Sequence, residues 1–121
     1  MNLTASTRQV ADVTILDLRG NLVLGKESAA FRELVCSLLA GGSRKILVNL
    51  AGVRYIDSTG LAHLVSAVVS VRKLHGEIKL LNLTKQSDAL LQIAKLHTVL
   101  DSFDNETLAL DSFVHSVAAM G

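Results

Sequence analysis

Two short runs, "KILVNL" (Lys45–Leu50) and "IKLLNL" (Ile78–Leu83), constrain this chain more than anything else in it. Each has the length and the β-compatible residues of a central strand and is bounded by turn signals. Around them stand stretches with apolar residues at helical spacing, Lys26–Leu39, Thr59–Leu74 and Lys85–Leu96. Gly41-Gly42 closes the first of these by permitting positive φ, and Gly76 follows the second. Ahead of them, Leu3–Val10 and Val13–Arg19 read as a β-hairpin turning at Val10-Ala11-Asp12, followed by a connection between Gly20 and Gly25. At the other end, Thr107–Leu110 reads as an edge strand and Asp111–Met120 as a short final helix. Strands alternating with helices predict an α/β fold with a mostly parallel central sheet, preceded by the N-terminal hairpin. At 121 residues the chain is expected to form one domain, 1–121.

Composition agrees with this and narrows the function. Half of the residues are hydrophobic but only 3% are aromatic, so the core has to be built from Leu, Val, Ile and Ala. Lys and Arg number 12 against 11 Asp and Glu, without a basic run, which argues against a nucleic-acid partner. Leu61–Val71, the most apolar helical stretch, is too short to span a bilayer and is interrupted by His63, Ser66 and Ser70. The N-terminal residues show no secretory signal, and the single cysteine cannot form an internal disulfide, so a cytoplasmic protein is expected. Cys36, set among apolar residues, reads as a small buried hydrophobe.

The stretch "YIDSTGL" (Tyr55–Leu61) joins a strand region to a helix and concentrates the chemistry of the chain. Asp57, Ser58 and Thr59 are all good helix caps, and none has Glu or Gln three residues later to complete a capping box. A hydrolase elbow, G-x-S-x-G, is incomplete because Ile56 replaces its first glycine. No base is marked among His63, His75, His97 and His115, which read as surface or half-buried residues. No two histidines stand four apart, and phosphate-cradling glycine motifs are missing, so no metal, no cofactor and no enzymatic activity is expected.

"VNLAGVRYIDSTGLAHLVSA" resembles the signature of STAS-domain anti-sigma factor antagonists, with D-S-T-G at its centre. The resemblance extends through "VTILDLRGNL", "GEIKLLNLTK" and "LLQIAKLHTVLDSFD", and so along nearly the whole chain. It implies a bacterial partner-switching protein whose unphosphorylated form binds a serine-kinase anti-sigma factor and releases the sigma factor. The same kinase would phosphorylate Ser58 and a serine phosphatase would restore it. By this resemblance Asp57 orients the acceptor and Gly60 admits the partner, while Thr59 stands where many relatives have a second serine. The alternative is an unmodified STAS scaffold subunit of a transport or stress-signalling complex. In the following helix, Leu61, Leu64, Val65, Val68, Val71 and Arg72 form one stripe, and His63, Ser66, Ser70 and Lys73 the opposite one. Ala62 and His63 complete the expected partner surface, with half-buried packing an equally good reading of this helix.

Overall fold

The structure is a computed structural model that describes residues 3–23, 26–93, 95, 96 and 100–120, excepting the side chains of 26–28 and 114–120. Its strands are β1 (Thr4–Val10), β2 (Val13–Leu22), β3 (Lys45–Ile56), β4 (Glu77–Leu81) and β5 (Ser102–Phe103). Its helices are α1 (Lys26–Ala40), α2 (Ser58–Lys73), α3 (Lys85–Ile93) and α4 (Glu106–Met120). The sheet has five strands in the order β1-β2-β3-β4-β5; β1 and β2 are antiparallel and every later pair is parallel. This is the α/β architecture that the alternation of patterns predicts.

The consecutive apolar residues of β2 and β3 are explained by cover on both faces. Leu16, Leu18, Ile46, Val48 and Leu50 join the larger core, with Phe31, Val35 and Leu39 of α1 and Leu64, Ala67, Val68 and Val71 of α2. Leu91 of α3 packs into the same cluster. Val13, Ile15, Leu47 and Leu81 project to the other face and meet Ala109 and Phe113 of α4. Lys79 also lies on that face, buried, with Nζ donating to Ser112 Oγ at 2.9 Å and sitting 4.8 Å from the centre of the Phe113 ring. An ammonium held over an aromatic face keeps part of its lost hydration energy.

Several sequence expectations are corrected. Thr107–Leu110 is not an edge strand but part of α4, because Asn105 caps that helix: its Oδ1 accepts the Leu108 N–H at 3.1 Å and its carbonyl the Ala109 N–H at 3.0 Å. The edge is Ser102–Phe103, paired with Leu80 and Leu81. The strand expected over Lys45–Leu50 does not stop there, since β3 runs unbroken to Ile56. Likewise β2 passes through Gly20, which has φ 111°, and the register shifts on either side let it keep pace with β3. Cys36 is exposed: Phe31, Val35 and Leu39 form the buried stripe of α1, and the residue after Val35 is turned about 100° away from it. In α2 the buried stripe is Gly60, Leu61, Leu64, Ala67, Val68 and Val71, so Ala67 replaces the expected Val65 and Arg72. Gly25 and His97 lie outside the described residues, as does the side chain of His115.

Candidate functional site: the β3–α2 turn

β3 outruns β4. Their pairing ends at Asn49 and Leu81, while β2 stays beside β3 as far as Leu22 and Ile56. The last residue of β3 therefore has a strand neighbour on one side only. Its other side is met by a side chain from α3: Gln86 Oε1 accepts the Ile56 N–H at 3.2 Å and Gln86 Nε2 donates to the Ile56 carbonyl at 3.0 Å. Sequence reasoning missed Gln86, since a glutamine in the first turn of a helix carries no local mark of such a role.

Asp57 follows with φ −98° and ψ −177°, an extended residue that ends the strand and caps α2. Its Oδ1 accepts the Gly60 N–H at 2.8 Å, and its carbonyl accepts the Leu61 N–H at 2.9 Å. Its own N–H donates to the Leu22 carbonyl at 3.3 Å, tying the turn to the end of β2. Of the three capping candidates in the sequence, the structure selects Asp57. Ser58 is consequently the first residue of the helix without serving as its cap, and it is exposed.

The remaining residues of the motif have separate settings. Thr59 is half-buried, and Gly60 is buried against the chain itself. A Cβ on Gly60 would stand 1.8 Å from the Leu22 carbonyl oxygen, a distance no side chain tolerates. The space beside Gly60 is thus taken by Leu22 of its own chain. Ala62 is exposed and His63 half-buried, with an Nδ1 that is shielded from solvent and lacks a hydrogen-bond partner among the described residues. Tyr55 and Val69 leave about half of their surface in solvent, at 51% and 49%. Asp57, Ser58, Thr59 and Gly60 therefore come together at one end of α2, and Ala62 and His63 lie on its next turn.

Chemically, the turn offers an exposed hydroxyl at the positive end of a helix of 16 residues whose first turn contains no acidic residue. Among the described residues no histidine hydrogen-bonds to Ser58, and no group of three His, Cys, Asp or Glu gathers as metal ligands would. No helix among the described residues is long and apolar enough to cross a membrane.

Comparison with known proteins places this geometry in a family. An anti-sigma factor antagonist from Mycobacterium paratuberculosis superposes with a TM-score of 0.78 at 15% identity, over 92% of this chain and 93% of the other. The Bacillus cell fate determinant SpoIIAA in its phosphorylated form gives a TM-score of 0.72 at 18% identity, over 91% and 99%. The murine anion transporter Slc26a9 gives 0.61 at 21% identity, over 71% of this chain but 14% of that one. At these identities the likeness is one of fold. No curated protein sequence matches the chain. A family model for the STAS domain, however, matches residues 4–109, and the chain belongs to the STAS domain family.

Proposed function

We propose that this protein is an anti-sigma factor antagonist whose unphosphorylated form binds a serine-kinase anti-sigma factor and is switched off by phosphate on Ser58. The observation that carries the proposal is the division of labour in the turn: Asp57 caps α2, which leaves the neighbouring Ser58 hydroxyl exposed and free of the capping role. A phosphoserine there carries about −1.5 to −2 charges and lies at a helix N-terminus, where the dipole and amides favour an anion. The fold tolerates the modification. A partner that buries the same surface without a counter-charge meets a desolvation penalty of about several kcal/mol, while the dipole returns about 0.3–1 kcal/mol. The charge of Asp57 beside it adds repulsion, so phosphate weakens binding far more than folding. A serine phosphatase closes the cycle, and the protein itself performs no catalysis.

The test is incubation with the kinase partner and ATP, followed by site-resolved mass spectrometry. Phosphate on Ser58 is the expected result, and phosphate confined to Thr59 overturns the assignment. Calorimetric titration of the kinase with Ser58→Ala and Ser58→Asp completes it: alanine keeps affinity, aspartate loses it. The fold likeness to a domain within an anion transporter supports a second reading, an unmodified scaffold subunit. Equal affinities of both folded variants favour that reading.

A further inference from the structure

The hydrogen bonds of Gln86 have a consequence that the local sequence around Ser58 does not contain. In the parallel sheet Ile56 turns its N–H and C=O to the side away from β2, where β4 has already ended. Gln86 fills that place with a carboxamide, which carries a donor and an acceptor at the spacing a strand would offer, and it uses both on the same residue. On the opposite side Asp57 N–H is bonded to Leu22. The Ile56–Asp57 peptide unit is therefore clamped from both flanks, and Asp57 in turn fixes the Gly60 amide.

Gln86 is itself held. Thr84 Oγ1 accepts the Ser87 N–H at 3.1 Å and donates to Ser87 Oγ at 2.9 Å, and Ser87 is buried. Just before it, Asn82 N–H donates to the Phe103 carbonyl at 2.8 Å and Asn82 Nδ2 to Asn49 Oδ1 at 3.2 Å. The start of α3 is thus anchored to β3 and β5, and Gln86 carries that rigidity to the turn 30 residues earlier in the chain.

We propose that Gln86 is a positioning residue for Ser58: its paired hydrogen bonds to Ile56 hold the turn so that the Ser58 hydroxyl is presented in one orientation for phosphoryl transfer. The proposal rests on the reading of Ser58 as the phosphate acceptor. The Gln86 side chain makes both of these hydrogen bonds to Ile56 and neither to Ser58. It acts through Ile56 and Asp57, so its loss should lower the rate of transfer within the complex more than the encounter with the kinase. Misplacing a reacting atom by about 1 Å can lower a rate by up to about a hundredfold.

The experiment compares wild type, Gln86→Ala and Gln86→Glu with the kinase partner and ATP, after thermal melts establish that each is folded. For Gln86→Ala, kcat for Ser58 phosphorylation should fall on the order of tenfold with KM nearly unchanged. Hydrogen exchange, corrected for intrinsic rates, should show lost protection at the Ile56 and Gly60 amides. In Gln86→Glu the ionised carboxylate still accepts the Ile56 N–H but cannot donate to the Ile56 carbonyl, so the Ile56 amide should keep more protection than in Gln86→Ala while the unmet carbonyl still lowers kcat. Wild-type kcat in Gln86→Ala, or unchanged protection of Ile56 in that variant, overturns this inference alone. A wild-type chain that takes no phosphate on Ser58 overturns the functional reading and this inference with it.

Discussion

Gly60 and Asp57 stand three positions apart and meet opposite demands. Gly60 must lack a side chain because Leu22 O occupies the space, and relief requires backbone movement in either β2 or α2. Gly60→Ala should therefore destabilise by about 3 kcal/mol, at the upper end for overpacking, and urea unfolding measures it. Asp57 must have a side chain, since its Oδ1 holds the Gly60 amide. Removing it in Asp57→Ala should lose about 1 kcal/mol, and Asp57→Ser should recover most of that because serine caps as well. Ser58→Ala, exposed and not a cap, should remain within about 0.5 kcal/mol of wild type. A loss of more than about 1 kcal/mol in Ser58→Ala would mean that Ser58 shares the capping role.

Among the elements, the end of α2 divides its closure between two residues, His75 and Gly76. The His75 N–H donates to Arg72 O at 3.0 Å and the Gly76 N–H to Val71 O at 2.9 Å, the bond pair of a Schellman motif. The left-handed residue of that motif is His75, with φ 61°, and not Gly76. Gly76 is required for space: a Cβ there would stand 2.6 Å from the Arg44 carbonyl oxygen. His75→Gly should accordingly stabilise by up to about 1 kcal/mol, because it relieves a left-handed side chain at some entropic cost. Gly76→Ala should destabilise by about 1–3 kcal/mol. Thermal melts of the two variants check the pair, and shifts in the same direction would contradict the assignment.

For the whole molecule, the hairpin, the sheet and α4 are joined by one charged cluster. Arg8 on β1 donates to Asp17 on β2 at 2.6 Å and to Glu106 on α4 at 2.7 Å, and Asn49 on β3 donates to Asp17 at 2.7 Å. The Arg8 guanidinium, helped by Asn49, holds the Asp17 carboxyl below its ordinary value of 3.8. A carboxyl depressed in the folded state stabilises fully above its unfolded pKa and loses that contribution as pH falls through the folded value. Asp17→Asn should therefore lower stability at pH 7 by about 1 kcal/mol, a figure reduced for partial exposure of the pair. The gap between wild type and variant should begin to close as pH falls below the ordinary value of 3.8 and vanish once the wild-type carboxyl is protonated too. Urea unfolding along a pH series from 7 into acid measures it, and a gap that persists in acid would show that shape and not charge is responsible.

The local chemistry of the chain was sufficient for the period of the elements from β1 to α3 and for the family. Apolar runs buried on two faces, a two-residue hairpin turn at Ala11 and Asp12, and D-S-T-G between a strand and a helix are all properties of neighbouring residues. Where one element ends against another was settled in three dimensions. β3 continues through Ala51–Arg54 because it bulges twice and so stays paired with β2, and Thr107–Leu110 is helical because Asn105 caps it and Ala109 and Phe113 find the open sheet face. The site divides in the same way. Three oxygen-bearing residues before Gly60 made a cap and an exposed hydroxyl legible as a set, but which residue did which depended on how Leu22 and Gln86 fix the backbone from either side. Those contacts join residues some 30 or more positions apart, and sequence spacing carries no trace of a hydrogen bond that only the packed sheet brings within reach.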